Sequence, residues 1–275
     1  MKTAINYSAA ARRLLEQGAI DFDLWKSAPR PAWQEEARAS NPPRPLYLHF
    51  PLDVGEPDFA EKNDWDEIAR QLDETDTPFL NVHLNARREH FPEVSGDTKS
   101  AWNAVRDQFL RHLSLVTERF GAERIIAENV IYRGAEGQYL RASVEPELIT
   151  EVVAQSGCGL LLDTAHARIT CAYLDTPVEA YIEALPVAQL RELHVTGTQH
   201  DGNRLRDSMP LSEEDWATVR WVLSHVHAGR WPAPWVAALE YGGIGSSYEW
   251  RSDPQVIAKE LPILQGLVSS LDSGR

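Results

Sequence analysis

Short apolar runs that close on a polar or charged residue recur along the chain. They alternate with longer segments in which apolar residues return every three to four positions. The first pattern reads as strands of a parallel sheet covered on both faces, the second as amphipathic helices. Gly159 to Leu162, closing on Asp163, is the clearest such run. Strands are expected at Ala4–Tyr7, Asp21–Lys26, Pro45–Phe50, Phe79–Leu84, Arg124–Val130, Gly159–Asp163, Leu190–Gly197 and Trp235–Gly242. Helices are expected at Ser8–Gln17, Trp65–Leu72, Thr98–Phe120, Pro146–Gln155, Val178–Ala184, Glu213–His225 and Pro254–Leu271. The longest spaces Trp102, Val105, Phe109, Leu113 and Val116 by three and four, and Gly121 ends it. Two stretches fit neither pattern. Ser27–Pro45 holds Pro29, Pro31, Pro42, Pro43 and Pro45 and reads as a long loop, a lid or binding loop over a site. Thr198–Pro210 reads as a polar loop.

Eight strands alternating with helices, with no linker or shift in composition between them, make one α/β domain over residues 1–275. A single (β/α)8 TIM barrel is the economical architecture, since such barrels take about 250 residues; a doubly wound sheet is the alternative.

Composition narrows the partners. With 41 acidic against 27 basic residues, the formal net charge of -14 repels polyanions, so nucleic acid is not the expected partner. No apolar run approaches a membrane span and Met1–Tyr7 does not resemble a signal segment, so the expectation is a cytoplasmic protein with no membrane partner. Cys158 and Cys171 lack metal or redox spacing and read as small apolar fillers.

The chemistry lies in the residues that end the strands. His49, His83, Glu128, Asp163, His194 and Glu240 each close a different strand, and a closed barrel brings those ends to one face. Imidazoles and carboxylates together are ligands for zinc, manganese or iron. His166, three residues after Asp163, extends the set; the plainer reading makes Asp163 a helix cap and His166 a packed loop histidine. Lys26 and Arg168, also near strand ends, are candidates for holding an anionic group.

This pattern resembles the xylose-isomerase-like barrels. In their isomerases and epimerases one divalent metal is bound by a Glu, Asp, His, Glu quartet, which Glu128, Asp163, His194 and Glu240 match in order. The extended set His49, His83, Glu128, Asp163, His166, His194, Asp207 and Glu240 resembles the three-metal site of endonuclease IV. It departs at Met209, where that pattern has histidine. In local wording the chain is most similar to the multinuclear non-haem iron oxidative enzymes that modify peptides at cysteine. The resemblance runs through Asn81-Val82-His83-Leu84, Glu128-Asn129-Val130, Leu161-Leu162-Asp163, Arg191 to Gly197 and Asp207 to Trp216. Thr164-Ala165-His166 departs from that family's asparagine-bearing segment.

The resemblance implies that His49, His83 and Glu128 hold one metal, that Glu128, Asp163, His194 and Glu240 hold a second, and that Glu128 bridges them. A third ion would rest on His166 and Asp207, with His200 as a substitute ligand. The expected cofactors are thus two or three divalent ions, iron favoured, with zinc or manganese as alternatives. The expected substrate is a small molecule or peptide, and Glu128, Glu240 and His166 are the candidate catalytic groups. Three other functions stay open: a single-metal sugar isomerase or epimerase, a phosphodiester hydrolase, and a metal-binding protein without turnover.

Overall fold

The computed structural model describes residues 1–94, 99–202 and 204–269. Eight parallel strands form one sheet: β1 (Lys2–Asn6), β2 (Leu24–Ser27), β3 (Leu46–Leu48), β4 (Leu80–His83), β5 (Ile125–Glu128), β6 (Gly159–Asp163), β7 (Leu190–Val195) and β10 (Val236–Leu239). Between the last two, β8 (Gly197–Asp201) and β9 (Arg204–Met209) pair as an antiparallel hairpin outside that sheet. The strand order β3-β2-β1-β10-β7-β6-β5-β4 is that of a barrel opened between β3 and β4. Each strand predicted from the apolar runs is present, within a few residues of its expected ends.

Helices return the chain from one strand to the next: α1 (Ala9–Glu16), α2 (Pro31–Arg38), α3 (Phe59–Lys62), α4 (Trp65–Asp73), α5 (Lys99–Phe120), α6 (Pro146–Ser156), α7 (Thr164–Leu174), α8 (Val178–Ala184), α9 (Glu213–His227) and α10 (Pro254–Ser269). Thr98 and Leu271, which bound two of the expected helices, lie outside the described residues. Side chains alternate across each strand, and the two faces have different neighbours. Ile5, Trp25, Leu48, Val82, Ala127, Leu162, Val195 and Leu239 point outward into the main core beneath the helices. Ala4, Leu24, Tyr47, Val236 and Ala238 fill the barrel interior.

Two expectations are corrected. Ser27–Pro45 is not an irregular loop, because α2 lies inside it: Pro31 occupies the first turn, where its missing N–H costs nothing, and the other prolines fall outside the helix. Thr198–Pro210 is the β8–β9 hairpin, whose strands are largely polar because they stand off the barrel. Cys158 and Cys171 are free and buried. No helix among the described residues is long and apolar enough to cross a membrane.

Where β3 and β4 fail to pair, a side chain takes over the ladder. Asn81 accepts from Phe50 N at 2.7 Å and donates to Phe50 O at 2.9 Å, replacing both bonds of a missing strand partner. Beyond it, His83 N donates to Leu52 O at 2.7 Å and Val54 N to His83 O at 3.2 Å. Replacing Asn81 by alanine leaves two buried backbone groups of Phe50 unpaired. The expected cost is about 2–5 kcal/mol of unfolding free energy, read by urea denaturation. An unchanged midpoint would show that the closure does not depend on this side chain.

Candidate metal centre

Alternation also decides which residues enter the centre. Leu24, Tyr47 and Ala238 face the interior, so Lys26, His49 and Glu240, each two residues further on, face it as well. The same step carries Ile126 to Glu128, Leu161 to Asp163 and Glu192 to His194. Register then sets neighbours: His83 lies opposite Glu128, and Asp163 opposite His194.

Glu128 stands in the middle. Its Oε2 lies 3.5 Å from His49 Nε2 and 3.2 Å from His83 Nε2, and those two nitrogens are 3.3 Å apart. Its Oε1 lies 3.4 Å from His166 Nδ1 and 3.6 Å from His194 Nδ1. His194 Nδ1 is also 3.4 Å from Glu240 Oε1 and 3.9 Å from Asp163 Oδ2. His166 Nε2 reaches Asp163 Oδ2 and Asp207 Oδ2, both at 3.9 Å. All eight residues singled out in the sequence are therefore gathered around one region at the strand ends. His200 is not: it is exposed on the hairpin, beside a separate cavity.

The donors are held in place by residues behind them. His194 donates its Nε2–H to Glu192 Oε1 at 2.9 Å, and the Tyr47 hydroxyl donates to the same oxygen at 3.0 Å. This leaves Nδ1 for the centre, the arrangement that orients a ligating imidazole. Asp53 Oδ1 lies 3.3 Å from His83 Nδ1, close enough to act on it electrostatically but without a hydrogen bond to it. Asp163 serves twice: Oδ1 caps α7 by accepting from His166 N at 2.7 Å, and Oδ2 turns inward. The cap and the ligand readings are compatible. His166 sits in the first turn of α7 rather than in a loop, its Nδ1–H donating to Asn129 O at 2.8 Å. Sequence reasoning passed over Glu192 and Asp53. Glu192 was within reach, since a residue two before a strand-end ligand shares its face; Asp53 follows β3 with no periodic signal.

Glu128 Oε2, Asp163 Oδ2 and His194 Nδ1 are buried with no hydrogen-bond partner among the described residues. Buried polar atoms are seldom left so, and this imidazole–carboxylate set fits a divalent cation. The electrostatics agree. Burial opposes charge on Glu128, but His83, His194 and His49 outweigh it and hold its carboxyl well below the usual range. Burial would lower His83; Glu128 and Asp53 reverse this and hold it at about 9. Burial would lower His166 too, but Asp163, Asp207 and Glu128 hold it at about 10. Burial and the nearby Lys26 ammonium drive His49 well below its ordinary value. Without an ion, the centre thus neutralises its carboxylates partly with protons on histidine.

Two side chains considered for anions differ in outcome. Arg168 is taken up by Asp215 at 2.8 Å and Glu214 at 3.2 Å, away from the centre. Lys26 is buried and ion-paired to Glu240, and burial lowers its ammonium to about 8 against the pull of Glu192, Glu128 and Asp163.

Residues 30–230 match the family described as "RiPP precursor modification enzyme MbnB/TglH/ChrH". The chain belongs to this family. A UPF0276 protein of Caulobacter sp. (strain K31) is 26% identical over 128 residues, 45% of each chain. A UPF0276 protein of Caulobacter vibrioides (strain NA1000 / CB15N) is 23% identical over 207 residues, 72% of this chain and 71% of that one. The match thus spans about half the length of the first relative. Among solved structures, D-psicose 3-epimerase from Clostridium cellulolyticum H10 aligns with a TM-score of 0.55 at 15% identity, covering 98% of this chain and 99% of that one. Endonuclease IV from Thermus thermophilus aligns at 0.50 and 16%, covering 98% and 100%. At such identities the likeness is one of fold, and the fold is the xylose-isomerase-like TIM barrel expected from the strand-end pattern. The family is described as one of enzymes, and the clustered imidazoles and carboxylates make a candidate metal site.

Proposed function

We propose that the protein is an iron-dependent oxidative enzyme that modifies a peptide, using two bridged metal ions. His49, His83 and Glu128 would hold one ion; Glu128, Asp163, His194 and Glu240 would hold the other. The observation that carries this reading is the split of Glu128, one oxygen toward His49 and His83 and the other toward His166 and His194. The family's printed description supports a peptide as substrate. A third ion would rest on His166 and Asp207 with a carboxylate shared from the pair, because Met209 offers a thioether where an imidazole would be needed.

A bound pair of iron ions would supply dioxygen activation and a Lewis acid beside the substrate. The chain supplies the rest. Buried Glu192 orients the His194 ring, Asn129 holds the backbone of Asp163, and Glu128 is itself buried. His166, with Nδ1 committed to Asn129 O, keeps Nε2 toward Asp207 and the cavity beyond it. That nitrogen is placed to give a proton to a bound substrate or take one from it.

Purification without oxygen, metal analysis and oxygen-uptake measurement after Fe(II) loading test the proposal. Two equivalents of metal with iron-dependent oxygen uptake support it; zinc or manganese alone, with no response to iron, overturns it. Replacing His49 and His83 together by alanine is expected to remove one equivalent. Unchanged stoichiometry would favour the single-metal isomerase or epimerase, in which those histidines only line the pocket.

A further inference from the structure

A small cavity of about 140 Å³ opens beside the centre on the Glu240 side. His49, Glu240 and Lys26 form its inner wall; Trp33, Tyr248 and Arg251 form its outer one. The outer wall comes from two segments that meet edge to face, Trp33 of α2 against Tyr248 with ring centroids 5.5 Å apart. Gly243 makes room for this, since a Cβ there would come within 2.6 Å of the Tyr248 ring.

Arg251 is fixed but not neutralised. Its Nη1 donates to Ser208 Oγ at 2.8 Å, and its guanidinium lies over Tyr248 at 4.7 Å from the ring centroid. Its Nε has no hydrogen-bond partner, and no ion pair involves it among the described residues. Lys26, the second cation on this wall, is held by Glu240, the carboxylate that the proposed function assigns to an ion. When Glu240 turns to a cation, the buried Lys26 ammonium loses its direct ion-pair partner.

We propose that this cavity is a substrate subsite for a carboxylate, gripped between Arg251 and Lys26 under the Trp33–Tyr248 pair. A guanidinium lining the cavity with no acidic partner among the described residues suits a carboxylate, and the aromatic walls fit the apolar stem that bears it. In a chain of net charge -14, two cations turned into one small cavity next to the centre select for an anionic part of the substrate. The inference deepens the proposed function by naming what part of a peptide enters: a chain terminus or an acidic side chain.

Calorimetry on the full chain, both Zn(II)-loaded and metal-free, tests it with N-acetylglycine, N-acetylaspartic acid α-amide, N-acetylglycinamide and inorganic phosphate. One or both carboxylates are expected to bind the loaded chain at least tenfold more tightly than the neutral amide, and whichever binds more tightly identifies the source. Arg251→Gln is expected to weaken that binding at least tenfold while zinc content stays unchanged. Arg133→Gln, in the cavity on the other side of the centre, is expected to leave it unaltered. Carboxylate binding that survives Arg251→Gln, binding lost in Arg133→Gln, or an Arg251-dependent preference for phosphate overturns the proposal. If the wild-type chain takes up no metal, the proposed function fails separately; Arg251-dependent carboxylate binding by the metal-free chain still supports the subsite.

Discussion

Glu128→Gln is expected to empty the centre, lowering bound metal from two equivalents to below half of one and turnover by at least ~1000-fold. The magnitude follows from position. Loss of a residue that merely orients a ligand costs about 10–100-fold in metal affinity. Glu128 faces His49 and His83 with one oxygen and His166 and His194 with the other, so both proposed ions lose a donor at once. Glutamine keeps the shape, so an unchanged circular dichroism spectrum with lost metal separates ligation from folding. Two equivalents retained in Glu128→Gln would refute the bridge. Asp163→Ala is expected to empty the pair as well. His166→Ala is expected to leave it loaded and alter only substrate handling.

Metal affinity is expected to rise steeply with pH. Burial opposes protonation of His83 and His166, but the carboxylates around them outweigh it and hold the two at about 9 and about 10 in the metal-free chain. At pH 7 both carry protons, and a ligating imidazole must lose its proton. Each ligating histidine held above the working pH therefore adds about tenfold in affinity per pH unit, and the gain stops once pH exceeds its own value. Burial would raise Asp207, but His166 and Arg133 hold it at about 2; it and Glu128 are ionised throughout and add no slope. Competition with a chelator at pH 6, 7 and 8 reads the number directly. A slope of one or more is the result expected if His83 ligates. Zero would show that neither gives up a proton to a metal.

The barrel and the clustering of its strand-end imidazoles and carboxylates were legible in the sequence for one physical reason. A strand covered on both faces must be apolar until it leaves the sheet, so a histidine or carboxylate closing such a run marks both the strand end and the functional face. His49, His83, Glu128, Asp163, His194 and Glu240 were all found this way. What was missed lacked that contrast. Glu192 lies inside an apolar strand and looks like an interruption until its bond to His194 is seen. The prolines around α2 read as breakers, although Pro31 starts the helix and Pro42, Pro43 and Pro45 follow its end. The partly exposed hairpin β8–β9 has no buried face to impose alternation, so its pairing leaves little trace in polarity. Arg251 is 202 residues from His49 in sequence, and only the fold puts them on one cavity.

The opening between β3 and β4 gives the proposed ligands a mechanical meaning. His49 follows one lip of that gap and His83 stands on the other, with Glu128 on the strand behind. An ion shared by the three would act as a clasp, a reversible cross-link at the one place where the cylinder lacks a continuous strand ladder. Binding a metal would then do for this barrel what a disulfide does for a small secreted domain: it would remove the easiest route by which the wall peels apart. Slowed amide exchange at Phe50, Val54 and His83 would be its signature.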